Sequence, residues 1–316
     1  MARLAAFNPA VKSLDDSVGR AVAAEKLGYE SVWVTQMPDA RDAALVLAAY
    51  AAATEHIGLG TAVLPIYTRH PTAMVQMAAT LDELSHGRFI LGVGISHKIT
   101  VEGMWGLHLT SPVAAMREYV GILRSSLNDG SSSLEGNLFT ARWAYSAPRR
   151  AGLPIMISAL NPLMLELAGE IADGVVLWMC SPTYIREQVV PAVAAGRAKA
   201  GKSVEGFEVV AAVPACLTAD RAGGHDVFRK TVSRYANLPY YRKMMDASGF
   251  KEELAADRIT EAMLDELGGI GDESRIHDAV ERYRDAGVTL PGIGPFGGHQ
   301  GAAGFEATLG AAASGT

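Results

Sequence analysis

Residues 57–97 read IGLGTAVLPIYTRHPTAMVQMAATLDELSHGRFILGVGISH, and this stretch decides the fold. It opens on an apolar run of strand length, Ile57 to Leu64. His70-Pro71 then starts a helix, because the fixed φ of proline suits the first helical position, whose N–H has no intrahelical partner. Ala73, Met74, Met77, Ala78, Leu81 and Leu84 recur at helical spacing and form one apolar face. Gly87 stands where a left-handed residue ends a helix. A second apolar run, Phe89 to Val93, follows at once and finishes in Gly94-Ile95-Ser96-His97. Strand, helix and strand with joints this short make one right-handed crossover of a parallel sheet. Such sheets bind their ligands at the carboxyl ends of the strands, so the residues just after each strand carry the functional interest.

The same alternation extends to both sides. Toward the N-terminus, Leu4 to Phe7 is the first strand. Ser13-Leu14-Asp15-Asp16 resembles a capping box with aspartate in place of glutamate. Leu14, Val18, Ala21, Val22 and Leu27 supply a helical face closed by Gly28, and Ser31 to Thr35 is strand two. A helix from about Asp42 to Thr54 leads into the central unit. Toward the C-terminus, an irregular segment runs to Thr110, and Ser111-Pro112 starts a helix reaching about Leu127. Residues 128–148 read as an insertion with a hairpin turn at Gly136-Asn137. Strand five is Pro154 to Ser158, with a helix starting at Asn161-Pro162. Strand six is Gly174 to Trp178, with a helix starting at Ser181-Pro182 and ending near Gly201. Strand seven is Phe207 to Val213. Residues 223–267 exceed what one crossover needs and read as an excursion over the carboxyl face of the sheet. Arg275 to Ala286 is an amphipathic helix stopped by Gly287, strand eight is Val288 to Ile293, and a short helix at Phe305 to Leu309 precedes a frayed end. Eight strands alternating with helices predict a single-domain (β/α)8 TIM barrel over residues 1–316; a doubly wound sheet is the alternative, since periodicity does not show closure.

Composition narrows the function. The chain has 316 residues, a hydrophobic content of 49% and a net charge of −6 from 28 basic and 34 acidic residues. No basic run or aromatic-basic interleaving points to nucleic acid. No segment approaches the roughly 18 apolar residues of a membrane helix. Cys180 and Cys216 form neither a metal spacing nor a disulfide framework, and read as buried small side chains. With no signal-peptide pattern, the expected location is the cytoplasm.

The strand ends place Asn8, Thr35-Gln36-Met37, Ala62 to Tyr67, Gly94 to Thr100, Ser158 to Asn161, Trp178 to Cys180 and Pro295 to Gly298 at the functional face. This set is poor in carboxylates and lacks a serine-histidine-acid order. Met37, Tyr67, Trp178 and Met179 form an apolar, aromatic rim suited to a planar ligand. That profile favours an enzyme whose cofactor carries the reaction. Gly92-Val93-Gly94 lacks the third glycine of a dinucleotide fingerprint and reads rather as glycines that let helices pack close. Arg69 suits a phosphate or a surface salt bridge, His70 a helix start, and the histidines show no metal pattern. His97 stands directly at a strand end.

These residues resemble a known family. RHPTAMVQMAATLDELSHGRFILGVG (69–94) is similar to the signature of the bacterial luciferase-like monooxygenase superfamily. ISALNPLMLELAGEIADGVVLWMCSP (157–182) is similar to its coenzyme F420-dependent oxidoreductase branch. ESVWVTQ, LEGNLFTAR and GDESRIHDAVERYRDAGVT add matches in the same order along nearly the whole chain.

The resemblance implies a deazaflavin or flavin ring at the carboxyl end of the barrel. It implies a bulge after strand three, commonly with a non-proline cis peptide, backing the ring at Ala62-Val63. It implies cofactor contacts at Thr35, Gly94, Ser96, Thr100 and Trp178, and a phosphate held by Ser158, Ala159, Leu160 and Asn161 with the helix starting at Pro162. Met37, Tyr67 and Met179 would line the substrate pocket. The family's sugar-phosphate dehydrogenases carry a histidine where this chain has Met37 and a glutamate where it has His97, so a reductase is favoured. The expected function is hydride transfer between deazaflavin C5 and a small organic substrate with a C=C or C=N bond, with His97 as proton donor. The alternatives are an FMN-dependent monooxygenase using reduced flavin and oxygen, and a ligand-binding barrel without turnover. The family implies a homodimer.

Overall fold

Residues 3–8, 13–297 and 301–314 are described by the structure, a computed structural model. In chain order the strands are β1 (Ala5–Asn8), β2 (Ser31–Val34), β3 (Gly58–Thr61), β4 (Leu64–Pro65), β5 (Phe89–Gly94), β6 (Ser131–Glu135), β7 (Thr140–Ala144) and β8 (Ile155–Ser158). They continue as β9 (Gly174–Leu177), β10 (Glu208–Leu217), β11 (Gly269–Gly271) and β12 (Leu290–Pro295). The helices are α1 (Leu14–Lys26), α2 (Ala43–Ala53), α3 (Pro71–Leu84), α4 (Pro112–Asp129), α5 (Pro162–Ile171), α6 (Pro182–Tyr184) and α7 (Val190–Lys199). After them come α8 (Arg221–Ala236), α9 (Pro239–Met245), α10 (Lys251–Ala255), α11 (Glu261–Leu267), α12 (Glu273–Asp285) and α13 (Gly301–Ser314).

Parallel pairing runs β10-β12-β1-β2-β3-β5-β8-β9, and β9 pairs in turn with β10 from Gly174↔Glu208 to Leu177↔Ala211. The sheet therefore closes into an eight-stranded parallel barrel with helices outside it, a (β/α)8 TIM barrel. The doubly wound alternative fails because it needs two free edges. Period two along each strand sorts the residues into two layers. Ala5, Phe7, Trp33, Met156, Val176, Val210, Ala212 and Leu290 fill the barrel interior. Their neighbours, such as Leu4, Ala6, Val32, Val34, Leu59 and Leu91, pack outward under the helices.

The interior is built around two large rings. Phe7 and Trp33 stack with centroids 6.2 Å apart and planes 12° apart. A Cβ at Gly60 would overlap the Trp33 ring, and one at Gly292 the Phe7 ring, so both strands need glycine there for the rings to fit.

Side-chain caps fix several helix starts. Ser13, Asp42, Asn161 and Ser181 accept hydrogen bonds from the first-turn amides of α1, α2, α5 and α6. His70 caps α3 in the same manner, as its sequence position predicts. Ser111 differs from the expectation. Proline does open α4, but Ser111 takes a left-handed conformation (φ 43°) that makes no side-chain cap.

Other boundaries differ for physical reasons. Strand seven continues past Val213 to Leu217, because its far end pairs with β11, a strand too short and glycine-rich to show in the sequence. The segment after His97 holds a π-helical turn, Ile99–Met104. The C-terminal helix does not fray after Leu309. It runs to Ser314 because Leu309, Ala311 and Ala312 are buried and the Tyr29 hydroxyl donates to Leu309 O at 2.9 Å. The insertion is the antiparallel pair β6–β7, as read. Both cysteines are free and buried. No helix among the described residues is long and apolar enough to cross a membrane. Gly298, named at the last strand end, lies outside the described residues.

Candidate active site

The carboxyl mouth of the barrel is shaped by a bulge. Gly60 pairs with Ile90 and Leu64 with Val93, so residues 61–63 on one strand face only 91–92 on the other. The Ala62–Val63 peptide within it is cis. Ala62 N donates to Val34 O at 2.8 Å, which holds the bulge against β2.

Gly94, at the end of β5, faces this bulge. A Cβ there would overlap Ser158 Oγ and come within 2.6 Å of Val63 Cγ2. Glycine thus lets Val63, Gly94 and Ser158 meet as one surface from three neighbouring segments. Ala62, Val63 and Trp178 pack on the interior cluster below. The Trp178 ring lies 6.3 Å from Phe7, tilted by 30°. Its indole N–H is buried with no well-formed hydrogen bond, its electrostatic neighbour being the Tyr235 hydroxyl.

The excursion covers this floor. Tyr235 of α8 lies 6.2 Å from Trp178, and Tyr241 of α9 lies 4.8 Å from Tyr235 in an edge-on arrangement. The Tyr241 ring then reaches the His97 imidazole, centroids 5.8 Å apart. Ser248 ties the same excursion to the loop after β9 through a 2.7 Å hydroxyl contact with Ser181. Glu266 of α11 accepts from Thr183 N at 3.1 Å. Burial lowers the pKa of His97, since a low-dielectric site disfavours its charged form.

The other sequence-predicted positions distribute as follows. Thr35, Tyr67, Ser96, Thr100 and Leu160 are half-buried, and Ala159 is buried. Thr100 N donates to His97 O at 2.9 Å, so the π-helical turn grows directly from the candidate histidine. Ser96, two residues past the end of β5, adopts a left-handed φ of 60°. Leu160 O accepts from the Tyr184 hydroxyl at 2.7 Å, and exposed Asn161 caps α5, which fixes the loop after β8. Tyr67 rests against residue 110, and Met37 is 38% exposed.

One reading changes, and one left open is resolved. Met179 does not stand on the rim. Its φ of 51° turns it into the core, where it is 0% exposed. Arg69 pairs with Asp42, the cap of α2, and so acts as a salt bridge. Tyr235 and Tyr241 were not predicted at the site, although the cluster Tyr235-Ala-Asn-Leu-Pro-Tyr-Tyr241 is the densest aromatic signal in the excursion. Among the described residues, no three His, Cys, Asp or Glu side chains converge to hold a metal.

Comparison with known proteins fits this geometry. The sequence matches the luciferase-like monooxygenase family over residues 2–290. The chain belongs to that family. It is 34% identical over 283 residues to the 5,10-methylenetetrahydromethanopterin reductase of Methanolobus tindarius, covering 84% of this chain and 86% of that one. It is 31% identical over 306 residues to a Mycobacterium tuberculosis protein provisionally named a coenzyme F420-dependent oxidoreductase, covering 85% and 87%. These relatives put the chain in the family's F420-dependent branch. Its fold is that of the coenzyme F420 dependent tetrahydromethanopterin reductase of Methanopyrus kandleri, with a TM-score of 0.83, 23% identity and coverage of 99% and 97%.

Proposed function

We propose that this protein is a coenzyme F420-dependent oxidoreductase that reduces a C=C or C=N bond of a small organic substrate. The observation that carries the reading is the identity of 34% and 31% to the two relatives across more than four-fifths of each chain. The mouth fits a planar ring. Gly94 keeps the floor between Val63 and Ser158 free of a projecting Cβ, and the partly buried Trp178 ring adds an aromatic face packed on the interior cluster.

In this reading the Ala62-Val63 bulge backs the ring, and Gly94 and Trp178 complete its floor. Thr35, Ser96 and Thr100 would help to hold the cofactor. Ser158, Ala159, Leu160 and Asn161 bind the phosphate, with the positive end of the α5 dipole directed at it. When bound, reduced deazaflavin supplies a hydride from C5 of its ring. Tyr235 and Tyr241 exclude water from above, and Met37 and Tyr67 face the substrate entrance. His97 holds the proton that the reduced product takes up, at an imidazole nitrogen.

Fluorescence titration of the purified protein with coenzyme F420 and, separately, with FMN tests the reading. Micromolar binding of F420 with much weaker FMN binding is the expected result. Preference for FMN would move the protein to oxygen chemistry, and binding of neither would favour a barrel without turnover.

A further inference from the structure

The aromatic contacts above the barrel mouth form a continuous run from Trp178 through Tyr235 and Tyr241 to His97, and it joins two parts of the chain 144 positions apart (residues 97 and 241). We propose that Tyr241 is a positioning residue that acts through His97: its ring, carried by the roof, walls one side of the imidazole, shields it from water and ties its orientation to the closed roof. The inference rests on the functional reading above for its meaning in turnover, but its structural content stands on the protein alone.

Three observations support it. Tyr241 is only 8% exposed, so it is a fixed part of the packing rather than a surface ring. Tyr235 meets it edge-on at 4.8 Å, the separation at which aromatic pairs attract. α9 itself is anchored on both flanks. The Arg242 guanidinium donates to Leu254 O at 2.9 Å, and Ser248 binds Ser181 at 2.7 Å.

The groups around His97 leave its solvation to the rings. On its own segment, Lys98 and Glu102 pair with each other at 3.6 Å. From the roof, Tyr241 of α9 faces it, with Tyr235 of α8 behind. Burial alone accounts for its lowered pKa. Opening the Tyr241 side to water therefore raises the His97 midpoint back toward its ordinary 6.5.

Histidine-labelled protein, with no cofactor added, is titrated by NMR as wild type, Tyr241→Phe and Tyr241→Ala. The wild type is expected to show an NOE between the His97 and Tyr241 rings. Tyr241→Phe is expected to keep the midpoint, and Tyr241→Ala to raise it by about half a pH unit or more. An unchanged midpoint in folded Tyr241→Ala, or no NOE in the wild type, overturns the proposal. Should Tyr241→Ala fail to fold, Tyr235→Leu, which removes the ring behind Tyr241, must raise the midpoint in its place. In turnover, measured below both midpoints so that His97 is protonated in either protein, Tyr241→Ala is expected to lose about ten-fold or more in kcat with F420 affinity nearly unchanged, and Tyr241→Phe to restore it. Failure of the wild type to bind F420 would overturn the functional reading and leave the NMR result to stand or fall independently.

Discussion

Thr61 and Gly92 exchange two hydrogen bonds across the interrupted β3–β5 ladder: Thr61 Oγ1 donates to Gly92 O at 2.8 Å and accepts from Gly92 N at 2.7 Å. A side-chain hydroxyl thus takes the place of the backbone where the bulge pulls the strands apart, and it satisfies both peptide groups of Gly92. Thr61 is fully buried, so nothing else replaces its hydroxyl. Thr61→Val keeps the shape but removes both bonds, and is expected to cost about 2 kcal/mol in a urea unfolding curve. Thr61→Ser keeps the hydroxyl and is expected to cost less. Equal stability of Thr61→Val and wild type would show that the bulge satisfies its amides some other way.

The hairpin of the insertion hangs on one carboxylate. Glu118 of α4 accepts from the amides of Asn137, Leu138 and Phe139, each at 2.9 Å. Burial pushes its pKa up, but the three N–H donors outweigh that and hold it below the usual 4.5. Because the folded value is depressed, the stabilisation is present above the unfolded value and is lost as pH falls through the folded one. Amide exchange of residues 137–139 should therefore accelerate in Glu118→Ala at neutral pH, and in the wild type only below pH 4.5. Exchange that is unaffected by the substitution would remove Glu118 as the anchor.

Roof helices α8 and α11 are clasped by a charge ladder. Arg221 and His225 of α8 face Glu261 and Asp265 of α11, with His225 Nε2 at 2.9 Å from Asp265 Oδ1 and Arg221 paired to the same carboxylate. Burial raises the Asp265 pKa, and its bonds to His225 and Arg221 lower it further than burial raises it, leaving a net depression. The clasp thus weakens as pH falls below the usual carboxylate range. Asp265 is partly solvated, so Asp265→Asn is expected to cost only about 1 kcal/mol globally. Its larger effect should be local, as faster protease cleavage within residues 237–260. Cleavage at the wild-type rate would mean that the clasp does not hold the roof.

How much of this was legible follows from which interactions are local. The strand-helix alternation and the starts of α3, α5 and α6 were readable because proline and capping side chains act within one turn of their own position. The bulge at Ala62-Val63 was placed through family resemblance. β11 was not readable, since a Gly-Ile-Gly strand is defined by its partner β10 and not by any pattern of its own. Met179 lies in the core although it follows a strand end, because its left-handed φ is not announced by any sequence pattern. Tyr235 and Tyr241 stayed hidden for a similar reason. Their clustering is visible in sequence but their place is not, because only the packing of the excursion over the mouth brings them to Trp178 and His97.

The lowered pKa of His97 gives the functional reading a pH signature. Burial holds the His97 pKa below its ordinary value, which favours the neutral imidazole. As proton donor in the reductive direction it must be protonated, so kcat should fall as pH rises through the His97 midpoint. In the oxidative direction the neutral ring accepts the proton, so the rate should rise over the same interval. His97→Gln removes the titrating group, and both profiles should flatten, with kcat reduced by about a hundred-fold and F420 affinity nearly unchanged. A variant that loses cofactor binding but turns over normally once saturated would place His97 among the binding residues and leave proton delivery to solvent.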